Sequence, residues 1–523
     1  MQRTGTETKI RGIEQEYPVS GKGHLNPSLL ANTAIQGLKW RLISREVAWD
    51  LGMETSQELH EARIQSSFAN NGSRIYNDMG HLEIATPSYN NPFDAVAYDK
   101  ASEIYAVVGA REAGIVLQES VVVHKNNVAN SFGNLESGAR SGKRRTITTK
   151  TYATHGNFIT TRAACADWSR VERALIPWIV TRIVFTGGGD VVSGDFTGED
   201  GVKFVISPRA LFVTRKSSLS TTTSRGILNT RDQPHAAHHY WRLHDIHCEA
   251  LRSDYALFLR DIMQALVIRA FEQGFLAGAP ELEDPVSTFK RLARDTKSCE
   301  WRIKLKSGER TDAVAILQFY LDAVERLQES EEHGPSRWDT IGLTCFAELL
   351  SDLEARRLEK YVDGIDWVTK LALLVNYDPR TPAEGIGICN QYALLDESSL
   401  FYLDEERGMK SNALFNPSDS LAFVERAVPG VDWAALPDRV SYAVANAPEQ
   451  TRDYFKNVLM KRYGGEVRRV SWSTIELTAA RVLLDEPFML NAEEIGDAVA
   501  EEDAELPAIL ATAKRLYPEK VTL

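Results

Sequence analysis

Gly12-Ile13-Glu14-Gln15-Glu16-Tyr17 is the stretch on which the reading of this chain turns. Side chains alternate along an extended strand, so Glu14 and Glu16 fall on one face and Ile13, Gln15 and Tyr17 on the other. Two carboxylates side by side on one face suit a hard cation such as Mg²⁺ and, through it, nucleotide phosphate. Alone, the hexapeptide describes equally well an exposed strand with two solvated glutamates. The residues further along the chain decide between these readings.

Three later stretches supply groups of the same kind. Residues 71–83, Asn71-Gly72-Ser73-Arg74-Ile75-Tyr76-Asn77-Asp78-Met79-Gly80-His81-Leu82-Glu83, read as an Asn-Gly turn, a short strand and a loop that carries Asp78, His81 and Glu83. Asp78 is a candidate base or nucleophile and Glu83 a candidate metal ligand. In Tyr152-Ala153-Thr154-His155-Gly156-Asn157-Phe158, His155 and Asn157 share one face of an expected strand. Residues 227–244 bring Arg231, His235 and His244, and Arg209 precedes them in Ser207-Pro208-Arg209; both arginines suit the clamping of a phosphate or carboxylate. Each stretch has a plainer reading as a polar loop, a structural histidine or a surface salt bridge. Five of the eleven histidines, His235, His238, His239, His244 and His247, fall within thirteen residues. They are expected to straddle a Pro-containing loop and a helix start, without HExxH or paired cysteines, which argues against zinc.

Two apparent nucleotide cradles fail. Gly138-Ala139-Arg140-Ser141-Gly142-Lys143-Arg144 is one residue short of a P-loop and lacks the hydroxyl residue after the lysine, and Thr186-Gly187-Gly188-Gly189-Asp190 is a Gly-rich turn rather than GxGxxG. ATP, if bound, needs a site of sheet and metal.

The rest of the 523 residues frames these pieces. Composition, 43% hydrophobic and 25% charged, fits an ordinary folded protein long enough for more than one domain. A net charge of −12 disfavours nucleic acid and anionic lipid as partners. Neither a signal-type apolar segment nor an eighteen-residue apolar run is found, so a cytoplasmic protein with no membrane partner is expected. The five cysteines are odd in number and scattered, as core residues are. Apolar β-rich runs at 116–123, 179–185, 203–206 and 211–214 read as strands, and periodic segments at 245–273, 312–332 and 343–362 as helices. Strands followed by a helical block argue for α+β, a mostly antiparallel sheet backed by helices. A Pro-bearing stretch through Pro417, Pro429 and Pro437 sets off a small C-terminal domain, so the expected division is 1–435 and 436–523. The acidic run from 492 reads as a solvated helix face.

In sequence order these pieces resemble the family of the Pup ligase and the Pup deamidase/depupylase. GIEQEY is similar to its metal-binding G-x-E-x-E-aromatic strand, NGSRIYNDMGHLEIATP to its NGARxYxDxxHPEYxTP segment, and HKNNVA, TYATHGNF, TTTSRGILNTRDQPHA and WRLH to further blocks. APEQTRDYFKNVLMKRY, followed by Ser471-Trp472-Ser473, resembles its C-terminal helix and closing strand, so the likeness spans nearly the whole chain. The resemblance implies a glutamine-synthetase-like fold and ATP and Mg²⁺ as cofactors. It implies Asp78 as the catalytic residue, Glu14, Glu16, Glu83, His155 and His244 as metal ligands, and Arg209, Arg231 and Trp472 at the nucleotide. The implied partner is a small Pup-like, ubiquitin-like modifier and its lysine conjugates.

Departures from the family pattern are specific. Gly156 stands where the YGxHEN block has Glu, Gln233 replaces the glutamate of NTRDEPHA, and a basic insertion with Arg140, Lys143, Arg144 and Arg145 lies between Asn127 and Tyr152. Trp49-Asp50-Leu51-Gly52-Met53-Glu54 and Leu59-His60-Glu61-Ala62-Arg63 resemble the depupylase's W-D-x-E-x-E and L-R-D-A-R, which the ligase lacks, whereas the depupylase's long loop shrinks here to about nine residues, 64–72. The resemblance thus implies a deamidase/depupylase first, with a ligase or a catalytically inactive tag- or nucleotide-binding relative as alternatives. Retention of the charged set argues against an inactive relative.

Overall fold

β1 (Arg11–Tyr17) alternates as its sequence dictates: Arg11, Ile13, Gln15 and Tyr17 are buried, and Glu14 and Glu16 are half-buried on the opposite face. This is a computed structural model, and it describes residues 3–22, 26–41, 45–46, 66–134, 145–152, 154–193, 202–330, 334–403, 411–501 and 503–523. β1 is the middle strand of a nine-stranded sheet. Its other strands are β2 (Arg45–Glu46), β3 (Ser66–Phe68), β4 (Arg74–Asp78), β5 (His81–Ala85), β6 (Thr154–Thr161), β7 (Arg215–Ser218), β8 (Gly226–Asn229) and β9 (Tyr240–Cys248). They lie in the order β7-β8-β9-β6-β1-β5-β4-β3-β2, antiparallel at every pairing but that of β7 with β8. The class is α+β with a mostly antiparallel sheet, as the sequence implied.

The helical layer includes α1 (Pro27–Arg41), α2 (Pro92–Leu117), α3 (Trp168–Thr181), α4 (Asp254–Glu272), α5 (Ala313–Ser330) and α6 (Arg337–Glu354). α4 is buried all round, the consecutive Leu257, Phe258 and Leu259 included, which marks it as the central helix of the layer. Ser253 caps it, accepting the Ala256 N–H at 3.4 Å. One hydrophobic core joins these helices to the sheet and extends to Leu436, Val440 and Ala443 of α7 (Leu436–Ala445). A second core runs from Phe455 of α8 (Asp453–Arg462) to Val521 around a four-stranded antiparallel sheet, and Phe68 of β3 is inserted in it. The division expected at 435/436 remains our proposal for where an independently folding unit begins; the two cores part between Ala443 and Phe455.

Several expected elements differ. Residues 179–185 are helical, the end of α3 followed by Ile183–Thr186, because a helix buried on all sides shows no apolar period and reads like a strand. Of residues 211–214, Leu211 and Phe212 end the 3-10 turn Arg209–Phe212, and Val213 and Thr214 are irregular. Within 116–123, α2 continues to Leu117, Gln118 takes a left-handed cap at φ 54°, and the strand is Val121–His124. The helix expected from 245 begins at Asp254, since residues up to Cys248 pair with β6. His244 and His247 are therefore on a strand rather than at a helix start. Among the described residues the cysteines are unpaired, four buried and Cys299 half-buried. The basic insertion forms an antiparallel hairpin, Val128–Asn134 with Arg145–Thr151; Arg140, Lys143 and Arg144 lie outside the described residues, as do 49–54 and 59–63.

Candidate metal and nucleotide site

Strand register assembles the site. Glu14 lies opposite His155 across β1–β6, Glu16 opposite Glu83 across β1–β5, Asn157 opposite His244 across β6–β9, and Tyr76 opposite Glu83 across β4–β5. Two sets of donor atoms result, each with its atoms within 4.8 Å of one another: Glu14, His155 and His244, and Glu16, Asp78 and Glu83.

The first set mixes nitrogen and oxygen. Asn157 orients it: Nδ2 donates to Glu14 Oε1 at 3.1 Å, while Oδ1 accepts from His244 Nδ1 at 3.0 Å and from Arg242 Nη1 at 3.2 Å. An amide oxygen only accepts, so the proton of His244 is on Nδ1 and the Nε2 lone pair faces the site. That Nε2 is buried and has no hydrogen-bond partner among the described residues, as a metal-ligating nitrogen would be before its ion arrives. Burial, then the Arg242 charge, hold His244 well below the usual imidazole range, keeping it neutral. Burial also acts most strongly on Glu14 and pushes it up. The His155 hydrogen bond, with the neighbouring His244 ring and the Arg242 charge, outweighs this and holds it far below the carboxylate range.

The second set is all carboxylate. Burial, then the charges of Asp78, Glu16 and Glu14, drive Glu83 well above its ordinary range, against the Tyr76 hydroxyl that donates to it at 2.5 Å. Three carboxylates this close cannot all ionise without a cation among them, and oxygen-only donors suit Mg²⁺ or Mn²⁺. Asp78 ends β4 at a two-residue turn, Met79 at φ 48° and Gly80 at φ 96°, the I′ geometry that closes tight hairpins. Asn77 pins the turn, accepting the Gly80 N–H at 2.9 Å and donating to Asn32 of α1 at 2.7 Å. Glu83 is thus on strand β5, not in the loop the sequence suggested.

Beside the first set an open pocket is walled by Ile10, Gly12, Glu14, Arg242, Arg452 and Trp472. Trp472, between the strands Val467–Val470 and Thr474–Leu477, stands edge-on to Phe68 at 5.2 Å. Carboxylate, guanidinium and indole together fit a nucleotide: cation-held phosphates at one end and a stacked base at the other.

Of the residues expected at the site, Glu14, Glu16, Asp78, Glu83, His155, His244 and Trp472 converge on this face. Arg231 is on the loop after β8, its N–H donating to Asn229 at 2.8 Å and its charge acting on His244. Arg209 is buried, with Nε and Nη2 donating to the Ile246 carbonyl at 3.1 and 2.8 Å. Arg242, Tyr76 and Asn157 were not picked out as site residues. The signal was two-residue alternation: Arg242 shares a face with His244, Tyr76 with Asp78, and Asn157 with His155. Gln233 accepts from Arg242 at 3.3 Å, so the exchanged glutamate keeps a polar contact. Gly156 faces away from the site: a Cβ there would meet the Phe158 ring at 2.7 Å and Cys248 Sγ at 2.8 Å.

A mostly antiparallel sheet with two carboxylate-bearing ligand sets on one face, beside a pocket that Trp472 of the second, smaller core helps to wall, defines the class of protein. The chain belongs to the Pup-ligase family, whose model, described as Pup-ligase protein, matches residues 9–476. A depupylase of Acidothermus cellulolyticus is 28% identical over 530 residues, covering 94% of this chain and 96% of the relative. A Pup–protein ligase of Acidimicrobium ferrooxidans is 29% identical over 502 residues, covering 93% and 97%. The crystal structure of the complex between the prokaryotic ubiquitin-like protein Pup and its ligase PafA aligns with a TM-score of 0.69 at 22% identity, over 99% of this chain and 94% of that one. A second PafA structure, in complex with ADP, aligns at 0.61. These two likenesses show the fold.

Proposed function

We propose that this protein cleaves the amide formed by the side-chain carboxyl of a C-terminal Glu/Gln on a Pup-like modifier, as a deamidase and depupylase that depends on ATP and Mg²⁺. The observation that carries the reading is the convergence of Asp78 with Glu16 and Glu83 on the sheet face that also bears Glu14, His155 and His244. Divalent cations and ATP, when bound, supply positive charge and phosphoryl groups that polarise the reacting carboxyl. Glu14, His155 and His244 would hold one cation, Glu16 and Glu83 a second, and Trp472 with Arg242 the nucleotide. Asp78, fixed at its hairpin turn, takes the proton of the attacking water; water adds across the amide, releasing ammonia or the lysine amine and leaving a carboxylate on the modifier. Met79 and Gly80 keep that carboxylate at the strand end, where substrate approaches.

The likeness of 49–54 and 59–63 to the depupylase supports hydrolysis. The ligase is the second reading, favoured by the short segment 64–72; there Asp78 deprotonates the attacking lysine instead. Mass spectrometry of a Gln-ended modifier and of a modifier–lysine conjugate, each incubated with the protein, ATP and Mg²⁺, separates them. Loss of ammonia or release of free modifier, abolished in Asp78→Asn, is the expected result. Conjugation of a Glu-ended modifier to lysine without cleavage would make the protein the ligase.

A further inference from the structure

Two rings at the Asp78 hairpin belong to neither ligand set. His81 closes the turn directly opposite Asp78, so the two side chains leave the sheet on one face, their Cβ atoms about 5 Å apart. The His81 ring meets that of Tyr152 edge-on, with centroids 4.2 Å apart and planes at 63°. Met79, between Asp78 and His81 at the tip of the turn, is 63% exposed, an apolar side chain where turns usually carry polar ones.

Strand register places these groups at the end of the site away from the nucleotide. The pocket is walled by Ile10 and Gly12 where β1 begins, and by Ala85 where β5 ends. Glu14 and Glu16 follow along β1 with the two ligand sets. Beyond them Tyr17 pairs with Leu82, the neighbour of His81, and Gln15 with Thr154, so Tyr152, two residues before Thr154, lies at the same end. Tyr152 is held from behind: its N–H donates to the Asn127 carbonyl at 3.0 Å, the Thr151 hydroxyl donates to the same carbonyl at 2.9 Å, and Asn127 Oδ1 accepts the Ala250 N–H at 2.8 Å. His81 and Tyr152 are half-buried, so each keeps part of its ring open to an incoming group.

We propose that Tyr152, His81 and Met79 seat the lysine side chain of a conjugate beside Asp78, and that Tyr152 sets how strongly its stem is recognised. The proposal rests on the hydrolase function proposed for Asp78. The two amides which that reaction opens share their carbonyl side and differ in what the nitrogen carries: hydrogen in one, a four-carbon stem in the other. Only the second brings apolar surface to bury. Aromatic rings and a thioether suit an unbranched methylene chain, and the face of Tyr152 also attracts the ammonium that the released amine becomes. With the nucleotide at the opposite end of β1, this rim is the side of the carboxylate set from which the stem can arrive.

Modifiers whose terminal side-chain amide carries N-methyl, N-butyl or the lysine of a peptide test the seat, each cleaved with ATP and Mg²⁺ and followed by mass spectrometry. Wild type is expected to show a higher kcat/KM for N-butyl than for N-methyl; no gain with length overturns the seat without any variant having to fold. Tyr152→Ala is expected to lower the N-butyl to N-methyl ratio roughly 10-fold, and Tyr152→Phe, which keeps the ring, to retain it. A Tyr152→Ala ratio equal to that of wild type overturns the role of Tyr152, even if both rates fall together. Should wild type cleave none of the amides but join a Glu-ended modifier to amines, the hydrolase reading falls alone. The same ratio is then taken with butylamine and methylamine as acceptors, and the same outcomes support or overturn the seat. Wild type that does neither overturns both.

Discussion

Asn157→Leu removes a side chain that hydrogen-bonds two members of the first ligand set, Glu14 and His244, and Arg242 beside them, while keeping the same branched shape. Three hydrogen bonds go, to Glu14, His244 and Arg242. Glu14 and Arg242 still face each other at 3.4 Å, so the main loss is at His244, whose buried Nδ1–H is left without an acceptor. An unsatisfied buried donor costs about 1–3 kcal/mol, which sets the expected fall in cation-free stability. Without that bond the ring turns and the tautomer is no longer fixed, and loss of such an outer partner weakens metal binding roughly 10- to 100-fold. Mn²⁺ titration by calorimetry reads the affinity directly. Unfolding with and without Mn²⁺ reads it again: at a concentration about 100 times the wild-type Kd, cation stabilisation of about 2.7 kcal/mol should shrink to between about 1.4 and about 0.4 kcal/mol. Asn157→Leu with wild-type Mn²⁺ affinity would refute the role given to His244 Nε2.

Asp190 is fully buried, and burial pushes it up to about 6 against the Lys370 charge. Below about pH 3.8 both states hold its proton; between there and pH 6 the unfolded chain ionises first, and above 6 the whole penalty, on the order of 3 kcal/mol, stands. Asp190→Asn should therefore match wild type below pH 4 and exceed it by up to about 3 kcal/mol above pH 6 in denaturant titrations. Trp472→Ala should weaken ATP binding by about 1–3 kcal/mol, the worth of a base–aromatic stack, since the backbone there stays fixed by Lys456, which donates to the Trp472 carbonyl at 3.0 Å. Gly156→Glu restores the family's residue type yet should lower stability by about 3 kcal/mol or more in thermal melts. Its side chain would crowd Phe158 and Cys248 and bring a second carboxylate to Arg182, already paired with Asp245 at 2.5 Å.

Much of the site was legible because strand geometry is local. The alternation of Glu14 and Glu16, and of His155 and Asn157, puts each pair on one face whatever the rest of the fold does. What brings the pairs together is not local: the register of β6 against β9, with its irregularity between Thr154 and Gly156, is set by contacts far apart in sequence. Arg242 and Tyr76 escaped notice for that reason, since each became a site residue only when its strand was placed. The helix ascribed to 245–273 shows the opposite fault. Neither Gly nor Pro interrupts residues 245–253, and only the Ser253 cap marks where the helix starts.

The claim that holds this account together is that one strand, through Glu14 and Glu16, serves two cation sites. A crystal soaked with Mn²⁺ and a non-hydrolysable ATP analogue, measured at the manganese absorption edge, tests it. The account predicts two anomalous peaks, one among Glu14, His155 and His244 and one among Glu16, Asp78 and Glu83. Peaks elsewhere, or none at either set in a crystal that holds the nucleotide, would contradict it.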